Sequence, residues 1–165
     1  MRVPIRKPGK YTHEKADPNI TEDKFNELQK KVQHLKKNVR PRLASEVKRL
    51  ALMGDFSENA AYSIAKGKLR GLNQKIIDIE DLLKRAEIIV SRGKNKVQLG
   101  SIVTFELDGK IKTYKILGSV EANPDLGIIS ANSPLGEALL ARKKGENFTF
   151  RTKDSQKQGK VLKIE

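Results

Sequence analysis

The chain has 165 residues, of which 33% are charged and 5% aromatic, and it contains no cysteine and no tryptophan. Lys and Arg outnumber Asp and Glu by 34 to 20, a formal net charge of +14. Without cysteine, disulfides and thiolate zinc sites are excluded, and no apolar run approaches the roughly 18 residues that a membrane helix needs. The basic excess favours an anionic partner, most often nucleic acid. With no secretory signal visible, we expect a cytoplasmic protein without a membrane partner.

A flexible arm followed by a long helix is predicted for the first third of the chain. Residues 1–20 hold three prolines and show no apolar periodicity. Thr21 is a good N-cap, and two acidic residues follow it in the first turn. Pro41 predicts a kink or a short break, and Gly54 suits the position just past the helix end. One apolar stripe runs along this element: Phe25, Leu28, Val32, Leu35, Val39, Leu43, Val47 and Leu50.

A second apolar stripe follows with a heptad period. Its members are Tyr62, Ala65, Leu69, Leu72, Ile76, Ile79, Leu83 and Ala86. Two striped helices joined by a short turn can bury their seams on each other only if they are antiparallel. We therefore expect an antiparallel coiled-coil hairpin over residues 21–90, roughly 45 Å long, with its tip near residues 54–58.

The C-terminal part is predicted to be a small α+β domain over residues 99–165. It follows a linker at 91–98, after which the apolar period changes to two at Val103, Phe105 and Leu107. Asp108-Gly109 is a hairpin turn signal. Further strands are predicted near 111–117, 127–131, 147–152 and 160–164, and a short helix from Ser133 to about Arg142.

Two carboxylates, Asp55 and Glu58, lie three residues apart at the predicted start of the second helix. The spacing is close to a capping box, and on local pattern alone capping is the stronger interpretation. At the end of a long stalk, however, two carboxylates can hold a divalent cation and orient a water molecule, with the partner completing the site. Five basic residues on the flanks either grip a phosphate chain or form a solvated helix face: Lys48, Arg49, Lys66, Lys68 and Arg70.

The run GDFSENAAYSIAKGKL, which starts at Gly54, resembles the tip signature of the Gre family of bacterial transcript-cleavage factors. The segments RPRLASEVKRLALMGD and IIDIEDLLKRAEII resemble the helices of that family. LGSIVTF, ILGSVEANPDLGIIS and SPLGEALLARKKGE resemble its second domain, which has an FKBP-like fold. The resemblance covers residues 21–165. It departs at Ala51, where the family often has Arg, and at Ala61, where many members have a third acid.

The resemblance implies that the hairpin enters the secondary channel of RNA polymerase. Asp55 and Glu58 would help to hold the second Mg²⁺ of the polymerase active site and position the attacking water. The polymerase would then cleave the 3′ end of backtracked nascent RNA. The protein itself would be a monomeric stimulator, not an enzyme, and would hold no cofactor in isolation.

The resemblance also assigns supporting roles. Lys66 falls where the family carries a basic residue near the RNA. Asn59 and Tyr62, with Ser57 of the turn, would support the geometry of the tip. The docking segment on the exterior of the polymerase would be Asn132, Ser133 and Pro134.

Three alternative functions are open. A non-cleaving regulator would use the same hairpin to block the channel, but relatives that lose cleavage have altered tips, whereas both acids are present here. A generic basic coiled-coil protein would bind nucleic acid and tolerate loss of both acids. A prolyl isomerase would need an aromatic-lined pocket, and the aromatic residues here fall at core-facing positions: Phe105, Tyr114, Phe148 and Phe150.

Overall fold

A computed structural model describes residues 17–53, 60–90, 95–151 and 155–165. The helices are α1 (Glu22–His34), α2 (Arg40–Ala51), α3 (Ala60–Arg85) and α4 (Pro134–Leu139). The strands are β1 (Asn19–Ile20), β2 (Glu87–Ile88), β3 (Ile102–Leu107), β4 (Lys110–Leu117), β5 (Ile128–Ser130), β6 (Asn147–Arg151) and β7 (Gln156–Ile164). Within these ranges, no helix has the length and apolar character of a membrane span.

The first long helix is continuous but changes type near its middle. Thr21 caps α1, its Oγ1 accepting the Lys24 N–H at 3.3 Å. Between α1 and α2 lies a π-helical turn, Leu35–Val39, in which the Arg40 N–H donates to the Leu35 carbonyl five residues back. Pro41 has no N–H and its ring would crowd the carbonyl four residues earlier in a regular α-helix, so the wider turn accommodates it. The disturbance predicted at Pro41 therefore takes the form of a wider helical turn on its N-terminal side.

The second long helix, α3, runs antiparallel to the first. Ile20 pairs with Ile88 at the base of the hairpin, and Lys36, farther along the first helix, forms an ion pair with Glu80, which lies earlier in α3. As the residue number increases along the first helix, the residue number of its contact in α3 decreases. With 26 residues, α3 is about 39 Å long at 1.5 Å per residue. The predicted antiparallel hairpin is confirmed.

Burial along the seam is greatest towards the base of the hairpin. The buried apolar residues of the helices are Leu28, Val32, Ala65, Ile76 and Leu82. In α2 no residue is fully buried, because a pair of helices buries only one face of each helix and α3 is the main partner of α2 among the described elements. The predicted stripe is confirmed at Ala65 and Ile76. At the base, however, Leu82 is buried more completely than the predicted Leu83.

A short parallel pairing closes the base of the hairpin. β1 pairs with β2, and the Ile89 N–H donates to the Ile20 carbonyl at 2.9 Å. Ile20 is completely buried. The prediction of a flexible arm over residues 1–20 is therefore wrong at its C-terminal end, and residues 1–16 lie outside the described ranges. A two-residue strand has no periodicity from which it could be predicted.

The C-terminal domain contains a five-stranded sheet in the order β5-β4-β3-β7-β6. Neighbouring strands are antiparallel except β4 and β5, which are parallel. Asp108 and Gly109 form the predicted turn between β3 and β4, with φ of 51° and 74°, as a type I′ turn requires. α4 ends earlier than predicted, at Leu139. β7 begins earlier than predicted, at Gln156; the sequence did not predict this start because the first half of β7 is polar and carries no apolar alternation.

The core of this domain lies between one face of the sheet and α4. Phe105 and Phe148 meet edge to face, with ring centroids 5.5 Å apart. Val97 also belongs to this core, and its backbone bonds to Ala141 and Arg142. The prediction of a linker over residues 91–98 is thus wrong at Val97, while residues 91–94 lie outside the described ranges. The α+β class predicted for the chain is confirmed.

Candidate functional site

Most of the predicted tip site falls in residues 54–59, which connect α2 to α3 and lie outside the described residues. These are both candidate carboxylates, Asp55 and Glu58, and two of the supporting residues, Ser57 and Asn59. Their roles stay predictions. Within the ranges that the structure describes, no three acidic or histidine side chains are grouped so that they could hold a metal ion.

The described flanks of this segment carry strong positive charge. Residues 40–53 and 60–75, the distal half of the hairpin, contain eight basic residues and a single acid, Glu46. Residues 17–39 and 76–90, the proximal half, contain seven basic and eight acidic residues. The basic residues of the distal half are Arg40, Arg42, Lys48, Arg49, Lys66, Lys68, Arg70 and Lys75. Positive charge is therefore concentrated on both sides of the connection that carries Asp55 and Glu58.

All five residues predicted to contact RNA lie in this distal half, and all five are exposed. Two of them contact a side chain four residues away in the sequence. The Lys66 ammonium lies 5.7 Å from the centroid of the Tyr62 ring, a cation–π contact worth about 0.5–1 kcal/mol at an exposed site. Arg49 donates from Nη1 to the Met53 sulfur at 3.6 Å. Tyr62, predicted to support the tip, thus contacts a basic side chain one turn along α3.

Three large apolar side chains near the distal end are exposed, and all three lie outside the predicted apolar stripes. Leu52, Met53 and Ile64 are 79%, 68% and 59% exposed. Leu52 and Met53 follow Ala51 in an apolar run that breaks the three-and-four spacing of the stripe, and this break is the signal that marks them. Apolar side chains exposed in this way suit contact with another macromolecule.

The predicted docking segment forms a tight turn before α4. Ser133 caps that helix: its Oγ accepts the Gly136 N–H at 3.1 Å and donates to the Ser130 carbonyl at 2.6 Å. A Cβ on Gly136 would lie 2.0 Å from the same carbonyl oxygen of Ser130. The backbone of the turn therefore leaves no room for a side chain at position 136. Asn132 and Pro134 are exposed on this turn. The cap predicted at Ser133 is confirmed, and its hydroxyl shapes the turn that presents its two neighbours.

The outer face of the sheet carries an open concavity of about 760 Å³ over β3, β6 and β7. Its lining is mostly polar and includes Glu106, Asp108, Gln158 and Lys160. The other predicted core aromatics pack together, since the Phe105 ring lies 5.7 Å from Tyr114 and Phe148 lies 6.3 Å from Phe150. Among the described residues that line the concavity, Phe148 alone is aromatic, so it is not the aromatic-lined pocket that a prolyl isomerase needs.

Comparisons with known proteins agree across both parts of the chain. Residues 19–88 match the family model for the N-terminal domain of GreA/GreB transcription elongation factors, and residues 92–165 match the model for the C-terminal domain. A GreA transcription elongation factor of Thermomicrobium roseum is 36% identical over 149 residues, which is 88% of this chain and 96% of that protein. One from Macrococcus caseolyticus is 41% identical over 87 residues, about half of either chain (52% and 55%).

Two solved structures are similar at lower identity. GreA factor homolog 1 (Gfh1) of Thermus thermophilus is 23% identical with a TM-score of 0.41, covering 88% of this chain and 97% of that chain. A GreA/GreB elongation factor from Nitrosomonas europaea is 18% identical with a TM-score of 0.39, covering 72% and 93%.

Proposed function

Because this chain belongs to the GreA/GreB family of transcription elongation factors, we propose that it acts on RNA polymerase. The hairpin enters the secondary channel of the polymerase, and its tip stimulates cleavage of the 3′ end of backtracked nascent RNA by the polymerase itself. The chain works as a cytoplasmic monomer and is not an enzyme on its own. The observation that carries the proposal is the concentration of positive charge on the distal half of the hairpin, around the segment that contains Asp55 and Glu58.

The basic distal half explains how the hairpin would approach the RNA. Lys and Arg side chains neutralise phosphates and release their counterions, which gives an attraction that weakens as salt is added. Charges beyond about 8–10 Å are screened at physiological ionic strength, so the attraction acts mainly on the part of the RNA close to the hairpin. The near-neutral proximal half contributes little to it.

The two carboxylates are suitable ligands for a magnesium ion, but two residues are too few to complete its coordination. Carboxylate oxygens are the ligands that Mg²⁺ prefers, and an octahedral ion takes six. Asp55 and Glu58 supply only a part of such a set, so the polymerase, the RNA and water provide the rest. A bound Mg²⁺ would supply an activated water for phosphodiester hydrolysis. The role of the chain is to place the two carboxylates in the site and to hold the RNA beside them with Lys66 and its basic neighbours.

The second domain anchors the chain outside the channel in this proposal. Asn132 and Pro134 are exposed on a turn that the Ser133 hydroxyl holds together with two hydrogen bonds. A turn with a preformed shape loses little conformational freedom when it binds, which favours docking.

The test uses a stalled, backtracked elongation complex whose RNA is labelled at its 5′ end, with Mg²⁺ and saturating factor. The wild type should shorten the RNA from its 3′ end. The Asp55→Asn/Glu58→Gln variant should stimulate cleavage about 100-fold less, the scale on which loss of one transition-state contact lowers a rate. The Asp81→Asn/Glu87→Gln variant is the matched control, because it makes the same charge change at exposed positions near the base. Polymerase binding, measured by competition, should be equal in all three.

Two results would contradict the proposal. Equal cleavage by the wild type and by the Asp55→Asn/Glu58→Gln variant would remove the acids from the mechanism. A wild type that binds the polymerase without shortening the RNA would point instead to the non-cleaving regulator that blocks the channel.

A further inference from the structure

The hairpin and the C-terminal domain are joined by hydrogen bonds at the base, far from the tip. Thr21 donates both its backbone N–H and its Oγ1 to the Glu121 carboxylate, at 2.7 and 2.6 Å. The Asp17 carboxylate accepts the backbone N–H and the Oγ of Ser119, at 2.7 and 2.6 Å. Four short bonds to two carboxylates thus connect segments that are about a hundred positions apart in the sequence. Bonds to charged groups are roughly twice as strong as neutral ones.

Thr21 makes these bonds at the point where the hairpin begins. Its Oγ1 accepts the Lys24 N–H as the cap of α1 and donates its own hydrogen to Glu121. The Glu121 carboxylate therefore lies against the N-terminal end of α1, where a negative charge is favourable. One side chain both starts the helix and connects it to the other domain, so the direction of α1 is tied to the position of Glu121.

Backbone packing reinforces this connection. A Cβ on Gly118 would lie 1.8 Å from the Asn19 carbonyl oxygen and 2.9 Å from its carbonyl carbon. Gly118 has a φ of −69°, which any residue can adopt, so the requirement for glycine here is steric. Beside it, Ile20 is completely buried. The two domains approach so closely that no side chain fits between residues 19 and 118.

The same region reaches the predicted docking turn. The Asn132 amide donates to Oδ2 of Asp17 at 3.4 Å, while Oδ1 of Asp17 accepts the Asn19 N–H at 2.9 Å. One carboxylate therefore contacts the base of the hairpin, the Ser119 turn and the turn that carries Asn132 and Pro134.

We propose that Asp17, Thr21, Gly118 and Glu121 form an orienting joint that sets the direction of the hairpin relative to the C-terminal domain. A small change at the joint is amplified along the hairpin: a rotation of about 10° would displace the far end of α3, about 39 Å away, by about 7 Å. These four are positioning residues. Their effect on cleavage rests on the proposed function, whereas the orientation itself is a property of the free protein.

The first measurement is a distance between the two domains. The chain has no cysteine, so Ser45→Cys in α2 and Thr149→Cys in β6, both at exposed positions, give two unique sites for spin labels. Pulsed dipolar spectroscopy should give one narrow distance distribution for the otherwise wild-type chain. Glu121→Gln, which places an amide where Thr21 donates, and Gly118→Ala, which inserts a methyl into the contact, should each broaden or shift it by several ångström, the scale of the lever arm.

Glu106→Gln is the matched control, because it removes one exposed carboxylate from the same domain outside the joint. Its distance distribution should coincide with that of the wild type. Helical circular dichroism and a cooperative unfolding transition verify that each variant is folded. If Glu121→Gln and Gly118→Ala are folded and both give the wild-type distribution, the joint does not set the orientation and the proposal is wrong.

The second measurement is RNA cleavage in the backtracked complex, at saturating factor. Glu121→Gln should stimulate cleavage about tenfold less than the wild type or worse, since a displacement of about 1 Å can cost about 100-fold in rate. The Glu106→Gln control variant should stimulate RNA cleavage at the same rate as the wild type. Unaltered cleavage by Glu121→Gln would overturn the positioning role. If the inter-domain distance shifts in Glu121→Gln and Gly118→Ala but the wild type does not stimulate cleavage, the orienting joint is supported and the proposed function fails.

Discussion

Two glycines in the exposed interior of α3 lower its stability, and replacing them should stabilise the hairpin. At Gly67 and Gly71 an added Cβ would meet no atom within 4 Å, and both positions are exposed. Glycine in a helix interior costs about 0.5–1 kcal/mol relative to alanine, since it loses more backbone freedom on folding. We expect each Gly→Ala variant to raise the free energy of unfolding by that amount, and the double variant by about 1–2 kcal/mol.

Gly109→Ala is the matched control for this prediction. Here too an added Cβ would meet nothing within 4 Å, but φ is +74°. The left-handed conformation costs an L-residue about 1–2 kcal/mol. The same substitution in equally open space should therefore destabilise the protein at Gly109 and stabilise it at Gly67 and Gly71, so that backbone conformation is the only variable.

Urea unfolding followed by circular dichroism at 222 nm measures the effect, because the hairpin contains most of the helix in the described chain. At constant m-value, the change in midpoint gives the change in free energy directly. Unchanged or lower midpoints for Gly67→Ala and Gly71→Ala, with the expected loss for Gly109→Ala, would refute a regular exposed helix at these positions.

Two further predictions concern the joint and the core. Burial acts to raise the pKa of Asp17, but the hydrogen bonds from Ser119 and Asn19 outweigh it and hold that pKa below its ordinary value. The carboxylate therefore stabilises the fold at pH values above its unfolded pKa, and this contribution is lost as the pH falls through its folded pKa. Acid titration of stability below about pH 4 should accordingly be steeper for the wild type than for Asp17→Asn, and identical slopes would contradict the assignment. Phe148 is 1% exposed in the aromatic core, so Phe148→Ala should lower the free energy of unfolding by about 3–5 kcal/mol. A loss below about 1 kcal/mol in urea unfolding would disagree with that packing.

The elements with a local signal could be predicted from the sequence. Apolar residues at helical spacing indicated both long helices, and alternating residues indicated β3. The Asp108-Gly109 turn and the Ser133 cap follow from backbone preferences that act within a few residues. The acidic pair at the tip, Asp55 and Glu58, is likewise a sequence observation.

What only the tertiary structure decided depends on residues far apart in the chain. Ile20 lies in β1, which pairs with β2 and adjoins the Gly118 segment of the C-terminal domain. Val97 packs in the core with residues of the sheet and α4, and neither residue belongs to a periodic pattern. Glu121 in the sequence is an ordinary acid in a turn, and it becomes a partner of Thr21 only when segments a hundred positions apart meet. Periodicity reports the face that an element buries, whereas the choice of what covers that face is made by long-range packing.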